Sequence, residues 1–169
     1  PDAVDTPAAT PQPVLPAAPE SRSFAADAPI LLNDGGEEIT VSVQEFLIGT
    51  AASELPPDWP DDAVLAQMAA AHSYALSLGG AAFTCNSAQC AGWTSAEVLR
   101  VRWGGDFAAY YSRLAALADE VSGAVLCWDG APAAACYHSS SAGQTEASQN
   151  VWLTAVPYLQ GVSSPWDAD

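Results

Sequence analysis

The sequence predicts a single α+β domain, with a mixed sheet that contains hairpins and two or three packed helices. Strand-like runs occur near residues 30–43 and 124–136, and runs with a helical period of apolar residues lie between them. A chain of 169 residues, half of them hydrophobic, is also long enough to bury one core. No apolar run approaches the roughly 18 residues that a membrane-spanning helix requires, so no membrane span is expected in this chain.

Residues 1–29 differ in composition from the rest, because they are rich in proline and alanine. Such a composition is typical of an extended linker or tail. We therefore predict a linker at 1–29 and a folded domain at 30–169. The first residue is Pro1 and not Met, so we expect a processed or trimmed product. A Pro/Ala-rich linker after a removed export signal suits a periplasmic or extracellular protein of the cell envelope.

The charge of the chain is strongly acidic. Aspartate and glutamate number 20 against four arginines and no lysine, which gives a net charge of −16. Nucleic acid is excluded as a partner, because too few cations are present to neutralise a phosphate backbone. Anionic membrane surfaces are disfavoured for the same reason. The acidic residues themselves are interpreted as a solvated surface.

The first half of the domain is predicted to hold one hairpin and two helices. The hairpin turns at residues 33–36, whose sequence is Asn-Asp-Gly-Gly. A helix follows at about 43–55 and ends before Pro56 and Pro57. The next helix begins near Pro60 and ends at Gly79. Its buried stripe is predicted to consist of Val64, Met68, Ala71 and Ala75.

The second half is predicted to continue with a loop, two helices and a hairpin. Residues 83–93 are interpreted as the loop. Thr94 and Glu97, three residues apart, resemble a capping box that starts a helix. Another amphipathic helix covers 106–121, and its aromatic residues are expected in the core. The dipeptide Asp129-Gly130 predicts a tight hairpin turn, after which the chain is polar and irregular.

Glu54 is the candidate catalytic residue. Five residues share one helical face at spacings of three and four: Phe46, Leu47, Thr50, Ala51 and Glu54. This pattern predicts that Glu54 is partly buried, in the last helical turn, where the backbone dipole is negative. Both conditions favour the protonated carboxyl group, so Glu54 is interpreted as a general acid. A glutamate that caps a backbone amide would fit the same position.

Several well-known catalytic motifs are missing from the sequence. It has no Gly-x-Ser-x-Gly elbow, no His-Glu-x-x-His and no glycine-rich nucleotide loop. The serines at 139–141 follow His138, but adjacency in sequence does not make a catalytic triad. No cofactor is expected.

Three segments together resemble one protein family. Residues 41–76 contain Glu-Phe-Leu-Ile-Gly, then Glu-Leu-Pro, then an alanine-rich helix with Ala-Gln. Residues 88–93, Ala-Gln-Cys-Ala-Gly-Trp, resemble a degraded Gln-x-Tyr-x-Gly loop. Residues 123–159 contain the hairpin and the loop Ser-Ala-Gly-Gln-Thr-Glu. In order and spacing, residues 38–160 resemble the stage II sporulation protein D and amidase-enhancer family of bacterial cell-wall proteins.

The resemblance implies a domain that binds peptidoglycan glycan strands. Sporulation members of the family are lytic transglycosylases, which cut between N-acetylmuramic acid and N-acetylglucosamine. Their catalytic glutamate lies in the segment that corresponds here to residues 52–56, so the resemblance assigns that role to Glu54. The alternatives are a glycan-binding module that assists a cell-wall amidase without cutting, and a structural envelope domain.

Ten further residues are expected to contact the glycan under this assignment. Hydroxyl and amide groups suit sugar hydroxyls, and aromatic rings stack on a pyranose face or else pack in the core. The ten are His72, Gln89, Trp93, Tyr137, His138, Ser140, Ser141, Gly143, Gln144 and Thr145.

Two of these positions depart from the family pattern. His72 stands where relatives commonly carry arginine, and Gln144 stands where many carry lysine. A protonated histidine can replace the first charge at low pH. Glutamine offers only hydrogen bonds, so the departures keep the non-catalytic alternative open.

Cys85 and Cys90 are predicted to form a disulfide, because they lie in one polar loop and the thiols of an exported chain tend to oxidise. The alternative is a zinc site formed by these cysteines and a histidine, as in certain family members. In the second hairpin, a two-residue turn places Cys127 opposite Pro132. Cys136 is then about 13 Å away at strand rise. A disulfide spans about 7 Å between Cα atoms, so these two cysteines are predicted to be unpaired.

Overall fold

The structure is a computed structural model that describes residues 25–167. Most of the predicted Pro/Ala-rich segment lies outside these residues. The described part contains a three-stranded mixed sheet, a separate two-stranded hairpin, four helices of eight or more residues and one short helix. The predicted α+β fold class is therefore confirmed.

The central strand of the sheet is β1 (Ile30–Asp34), which pairs antiparallel with β2 (Glu37–Val41). The turn between them consists of Gly35 and Gly36, whose φ angles are +61° and +101°. Glycine adopts such angles at little steric cost, which explains why the chain reverses there. The predicted first hairpin is confirmed.

The third strand, β3 (Phe83–Cys85), lies on the other side of β1 and runs parallel to it. The prediction that residues 83–93 form only a loop is therefore wrong for its first three residues. Phe83 and Cys85 are buried while Thr84 is exposed, as expected for a strand with one face on the core. The strand is too short to show this alternation in sequence, and its partner, Leu32, is 51 residues away.

The main helices are α1 (Val43–Glu54), α2 (Asp61–Ser77), α3 (Ala96–Trp103) and α4 (Phe107–Val121). A capping box starts α1, since Ser42 and Glu45 bond to each other's backbone amides. Helix α3 has Ser95 as its N-cap, bonded to the Val98 N–H, so the predicted Thr94 capping box is wrong by one residue.

The core lies where α1, α2 and α4 pack on each other and on β1 and β3. Ile30 and Leu32 of β1 point into it, and Phe46 of α1 meets Phe83 of β3 edge-on at 5.2 Å between ring centroids. The predicted stripe of α2 is fully or nearly fully buried, as are the first four residues of the predicted α1 stripe. Thr50 fits there because its hydroxyl bonds to the Phe46 carbonyl.

The second hairpin joins β4 (Cys127–Trp128) to β5 (Ala131–Pro132). Asp129 and Gly130 both have positive φ, the geometry of a type I′ turn. Cys127 lies opposite Pro132, so the predicted register is confirmed. A short helix, α5 (Ser148–Trp152), follows in the region predicted to be irregular. Among residues 25–167, no helix combines the length and apolarity needed to cross a bilayer.

Candidate active site

A cleft of about 430 Å³ lies between the polar loop after the second hairpin and the C-terminal segment. Six of the predicted glycan contacts are brought together in its wall. They are Tyr137, His138, Ser140, Ser141, Gln144 and Thr145. Most of these side chains are exposed, and they present hydroxyl, amide and imidazole groups to the space. The arrangement provides many donors and acceptors for a neutral, hydroxyl-rich ligand.

The polar loop is held in place by the C-terminal segment, residues 159–167. The Thr145 N–H donates to the Val162 carbonyl at 2.8 Å, and the Ser164 N–H donates to the Gly143 carbonyl at 2.9 Å. The Ser148 N–H donates to the Leu159 carbonyl. Gly143, a predicted contact, therefore supports the cleft through its backbone.

Ser141 is fixed by a carboxylate that the sequence analysis did not identify. Its hydroxyl donates to Asp167 at 2.9 Å, and the Ser164 hydroxyl donates to the same oxygen. These two hydrogen bonds, with a smaller effect of His138, lower the pKa of Asp167. Since Ser141 donates directly to the carboxylate and not to His138, the group lacks the relay of a serine hydrolase triad. Ser141 and Asp167 are 26 positions apart, and no local sequence pattern predicts a contact over that distance.

Trp152 is a second cleft residue that the sequence analysis did not identify. It lies in α5, is 55% exposed and lines the cleft. Its indole offers a flat apolar face for stacking on a sugar ring, a role that the sequence predicts for Trp93 and Tyr137. The only sequence signal is its position shortly after the Thr-Glu pair of the polar loop.

Glu54 is the last residue of α1, as predicted, but its side chain is exposed. The prediction of partial burial is wrong, because the apolar stripe of α1 loses its covering neighbours at the last turn. No hydrogen bond to the carboxylate is found among residues 25–167, although the backbone around it is well bonded. The Leu55 N–H donates to the Ala51 carbonyl, and the Ser53 hydroxyl donates to the Cys90 carbonyl at 2.8 Å. The backbone at Glu54 is therefore held in place, and the carboxylate oxygens are free to contact a ligand.

Glu54 does not line the cleft, but its charge acts on Tyr137, which does. Burial and, second, the negative charge of Glu54 raise the pKa of Tyr137 above its ordinary value. The amide of Gln67 has a smaller, opposite effect on the phenol. The charge of Glu54 therefore acts on one residue of the cleft wall.

Gln89, another predicted contact, lies on a short 3-10 turn away from the cleft wall. It is exposed, and its N–H bonds to the Asn86 side chain. The structure therefore does not group Gln89 with the six residues of the cleft.

His72 is fully buried in α2, so the predicted contact with a glycan does not fit its position. Neither ring nitrogen has a hydrogen-bond partner among residues 25–167. Burial lowers the pKa of His72, while the nearby backbones of Ala26 and Ala124 weakly oppose this effect. The predicted replacement of an arginine charge at low pH is therefore disfavoured.

Trp93 is a core residue and not an exposed platform. Only 5% of it is exposed, and its indole N–H donates to the Glu45 carbonyl. This position agrees with Trp93 packing in the core and not with stacking on a sugar ring. Tyr158 lines the cleft, and its phenol oxygen accepts a hydrogen bond from the Ala134 N–H.

All four cysteines are free thiols, so the structure does not contain the predicted Cys85–Cys90 disulfide. The register is the reason: the Asn86–Ala91 bridge places Cys85 opposite Gly92. Cys85 is buried in the core, whereas Cys90 faces Val98 and Arg102 of α3. Among residues 25–167, no three metal-binding side chains converge in a way that could hold the alternative zinc ion.

Comparisons with known proteins identify the family of the chain. The family model described as Stage II sporulation protein matches residues 36–128. Stage II sporulation protein D of Bacillus amyloliquefaciens is 27% identical over 164 residues, which cover 89% of this chain and 46% of that protein. The protein of the same name from Bacillus subtilis is 31% identical over 75% of this chain and 40% of its own length.

A third relative is named amidase enhancer, from Bacillus subtilis. It is 30% identical over 113 residues, which cover 67% of this chain and 14% of the amidase enhancer. This chain therefore belongs to the stage II sporulation protein D family, and it spans less than half the length of each of these relatives. Membership supports a role related to peptidoglycan.

Proposed function

We propose that this protein is a peptidoglycan lytic transglycosylase of the cell envelope, with Glu54 as its acid and base. The observation that carries the proposal is the position of Glu54. Its exposed carboxylate lies at the end of α1, and its charge acts on Tyr137, which forms part of the wall of a cleft rich in hydroxyl and amide groups. The proposal requires a glycan strand that extends from the cleft past Tyr137 to this carboxyl group.

One carboxyl group is enough for the proposed reaction. In its protonated form, Glu54 donates a proton to the oxygen that leaves as the bond to C1 of N-acetylmuramic acid breaks. The resulting carboxylate then takes the proton of the C6 hydroxyl, whose oxygen bonds to C1. The product is a 1,6-anhydro ring, and Glu54 regains its proton. No water molecule attacks, so the second carboxylate of an ordinary glycosidase is not required.

The cleft suits a glycan in size and chemistry. Its volume of about 430 Å³ lies within the range of small-ligand sites. The hydroxyls of Ser140 and Thr145 and the amide of Gln144 match sugar hydroxyls and acetamido groups, while Trp152 and Tyr137 offer apolar rings. A net charge of −16 disfavours recognition through the carboxylates of the strand, so we expect binding in the periplasmic or extracellular space to use its sugar hydroxyls and acetamido groups.

The deciding experiment uses intact and peptide-stripped peptidoglycan as substrates. The products are analysed by mass spectrometry for new 1,6-anhydro ends. We expect such ends with the wild type and a loss on the order of 10²- to 10⁴-fold with Glu54→Gln. Glu38→Gln, at an exposed position of β2, is the matched control and should retain full activity. If the wild type forms no anhydro ends on either substrate, the proposed activity is wrong.

The second candidate is a glycan-binding module that assists a cell-wall amidase. Two observations favour it: Glu54 is not part of the cleft lining, and one relative is named amidase enhancer. This candidate predicts binding to purified glycan strands without new ends, together with faster stem-peptide release by an added amidase. Glu54→Gln would then leave both measurements unchanged.

A further inference from the structure

Two arginines donate hydrogen bonds to backbone carbonyls before and after Glu54. Arg102 of α3 donates from Nη1 to the Ala52 carbonyl at 2.9 Å, two residues before Glu54. Arg113 of α4 donates from Nη1 to the Pro57 carbonyl, three residues after it, and from Nη2 to the Trp59 carbonyl at 2.6 Å. Arg113 also forms an ion pair with Asp61.

The Arg102 contact meets a physical need at the end of α1. The last carbonyls of a helix have no intrahelical donors, and the negative end of the helix dipole attracts a cation. Pro56 has no N–H to donate to the Ala52 carbonyl four residues before it, so Arg102 supplies that donor. Arg113 instead holds the segment that follows the helix, at Pro57 and Trp59. Arginine suits the task because its guanidinium can donate to several acceptors in fixed directions.

Cations are scarce in this protein, which makes their location informative. The chain has four arginines and no lysine, and three of the arginines lie in the described part. Two of those three bind the backbone of residues 52–59. The third, Arg100, stacks over Phe107 at 4.4 Å instead. The carboxylate of Glu54 itself receives no hydrogen bond among residues 25–167. The two arginines therefore hold the backbone around Glu54 and leave its carboxylate oxygens free.

We infer that Arg102 and Arg113 are positioning residues for Glu54, an inference that rests on the proposed role of Glu54. They act through the backbone of residues 52–59 and not by contact with the reacting atoms. Displacement of a catalytic group by about 1 Å lowers a rate on the order of 100-fold, so a site at a helix end needs such support. Loss of either arginine would therefore affect turnover and leave the cleft, which belongs to residues 136–160, able to bind glycan.

The test compares Arg102→Met and Arg113→Met with Arg100→Met, which removes the same charge from a helix that faces the same core. Amide hydrogen exchange is measured for residues 52–60, and glycan affinity and the rate of anhydro-end formation are measured in parallel. We expect faster exchange of this segment in the first two variants only. We also expect kcat to fall on the order of ten- to a hundredfold while KM and glycan affinity stay within about twofold.

Lysine variants keep the test valid if a methionine variant fails to fold. Arg102→Lys should recover most of the wild-type kcat, because one ammonium group can reach the Ala52 carbonyl and only the long bond from Nη2 to the Thr94 hydroxyl, at 3.5 Å, is lost. Arg113→Lys should recover less, since it must replace donors to two carbonyls and a carboxylate.

The outcomes separate this inference from the proposed function. Unchanged exchange at residues 52–60 in both methionine variants overturns the inference, and so does a parallel loss of glycan binding and turnover. Absence of anhydro ends with the wild type overturns the proposed function and, with it, the expected effect on turnover. Faster exchange confined to this segment would then still show that the two arginines hold the backbone of residues 52–60.

Discussion

Trp93 lies so close to Gly49 that a Cβ atom at position 49 would be 2.2 Å from the indole Nε1. The same atom would be 2.8 Å from the Thr94 carbonyl oxygen. The indole N–H bonds to the Glu45 carbonyl, and the Thr94 N–H bonds to the Gly49 carbonyl. The loop before α3 is thus seated directly on α1, and only glycine allows this approach.

Gly49→Ala is expected to destabilise the protein. Alanine favours a helix over glycine by about 1 kcal/mol, but the buried indole and the backbone oxygen cannot both move away easily. Overpacking of this kind typically costs about 1–3 kcal/mol or more, so we expect a net loss in the free energy of unfolding measured with urea. Gly123→Ala is the control, because its Cβ would meet no atom within 4 Å. Equal stability of the two variants would contradict the described contact.

His72 is expected to make the protein less stable as pH falls. Burial lowers its pKa in the folded state below the ordinary value of 6.5, so the unfolded chain binds the proton first. Stability from this group is therefore complete above about pH 6.5 and is lost below it, with a slope of up to about 1.4 kcal/mol per pH unit. The measurement is the free energy of unfolding between pH 7.5 and 5.5.

Two variants test whether His72 causes this pH dependence of the free energy of unfolding. His72→Gln should remove most of it, whereas His138→Gln, at an exposed position, should retain it. A slope that persists in His72→Gln would show that another group is responsible.

Glu54→Gln is expected to lower the pKa of Tyr137. The negative charge of the carboxylate is the second cause, after burial, of the raised pKa, so its removal should bring the phenol closer to its ordinary value. NMR titration of ring-labelled tyrosine measures this without any need for enzymatic activity. Asp58→Asn, a nearby exposed position, is the control. An unchanged Tyr137 pKa in Glu54→Gln would place the carboxylate away from the cleft.

The cysteines are expected to react with an alkylating reagent at different rates. Cys85 should be slowest in the folded protein, because burial and the charge of Asp34 raise its pKa to about 11. Cys127 is exposed and should react fastest, since the thiolate is the reactive form and access is open. Peptide mapping after timed labelling measures both. Four thiols should be counted after denaturation, and a count of two with Cys85 and Cys90 blocked would restore the predicted disulfide.

Much of the fold could be predicted because its signals are local. The turn glycines at 35 and 36, the proline pair after Glu54 and the Asp129-Gly130 turn each determine the chain direction within a few residues. The Cys127–Pro132 register follows from a two-residue turn, and it is confirmed. The six cleft residues lie within nine positions of one another, so one motif was enough to group them.

The remainder depends on contacts between distant residues. Helical periodicity assigns Glu54 to the buried face, but it cannot show that no neighbouring element covers the last turn. The same limit applies to His72, whose full burial requires the segments around Ala26 and Ala124. Strand β3 needs β1 as a partner, and Asp167 reaches Ser141 from the far end of the chain. Such pairings leave no trace in a local pattern.

The C-terminal segment that holds the polar loop has a consequence for how this molecule unfolds. Beyond Val121, the buried residues are small ones such as Ala133, Ala147 and Ser164, so residues 122–167 add little apolar burial to the core of α1, α2 and α4. Its order rests mainly on backbone hydrogen bonds near solvent, and such regions open at lower free energy than the core does. The cleft can thus be lost while α1 to α4 stay folded. A ligand bound there would raise the opening free energy of residues 122–167 selectively, because binding stabilises only the state that binds.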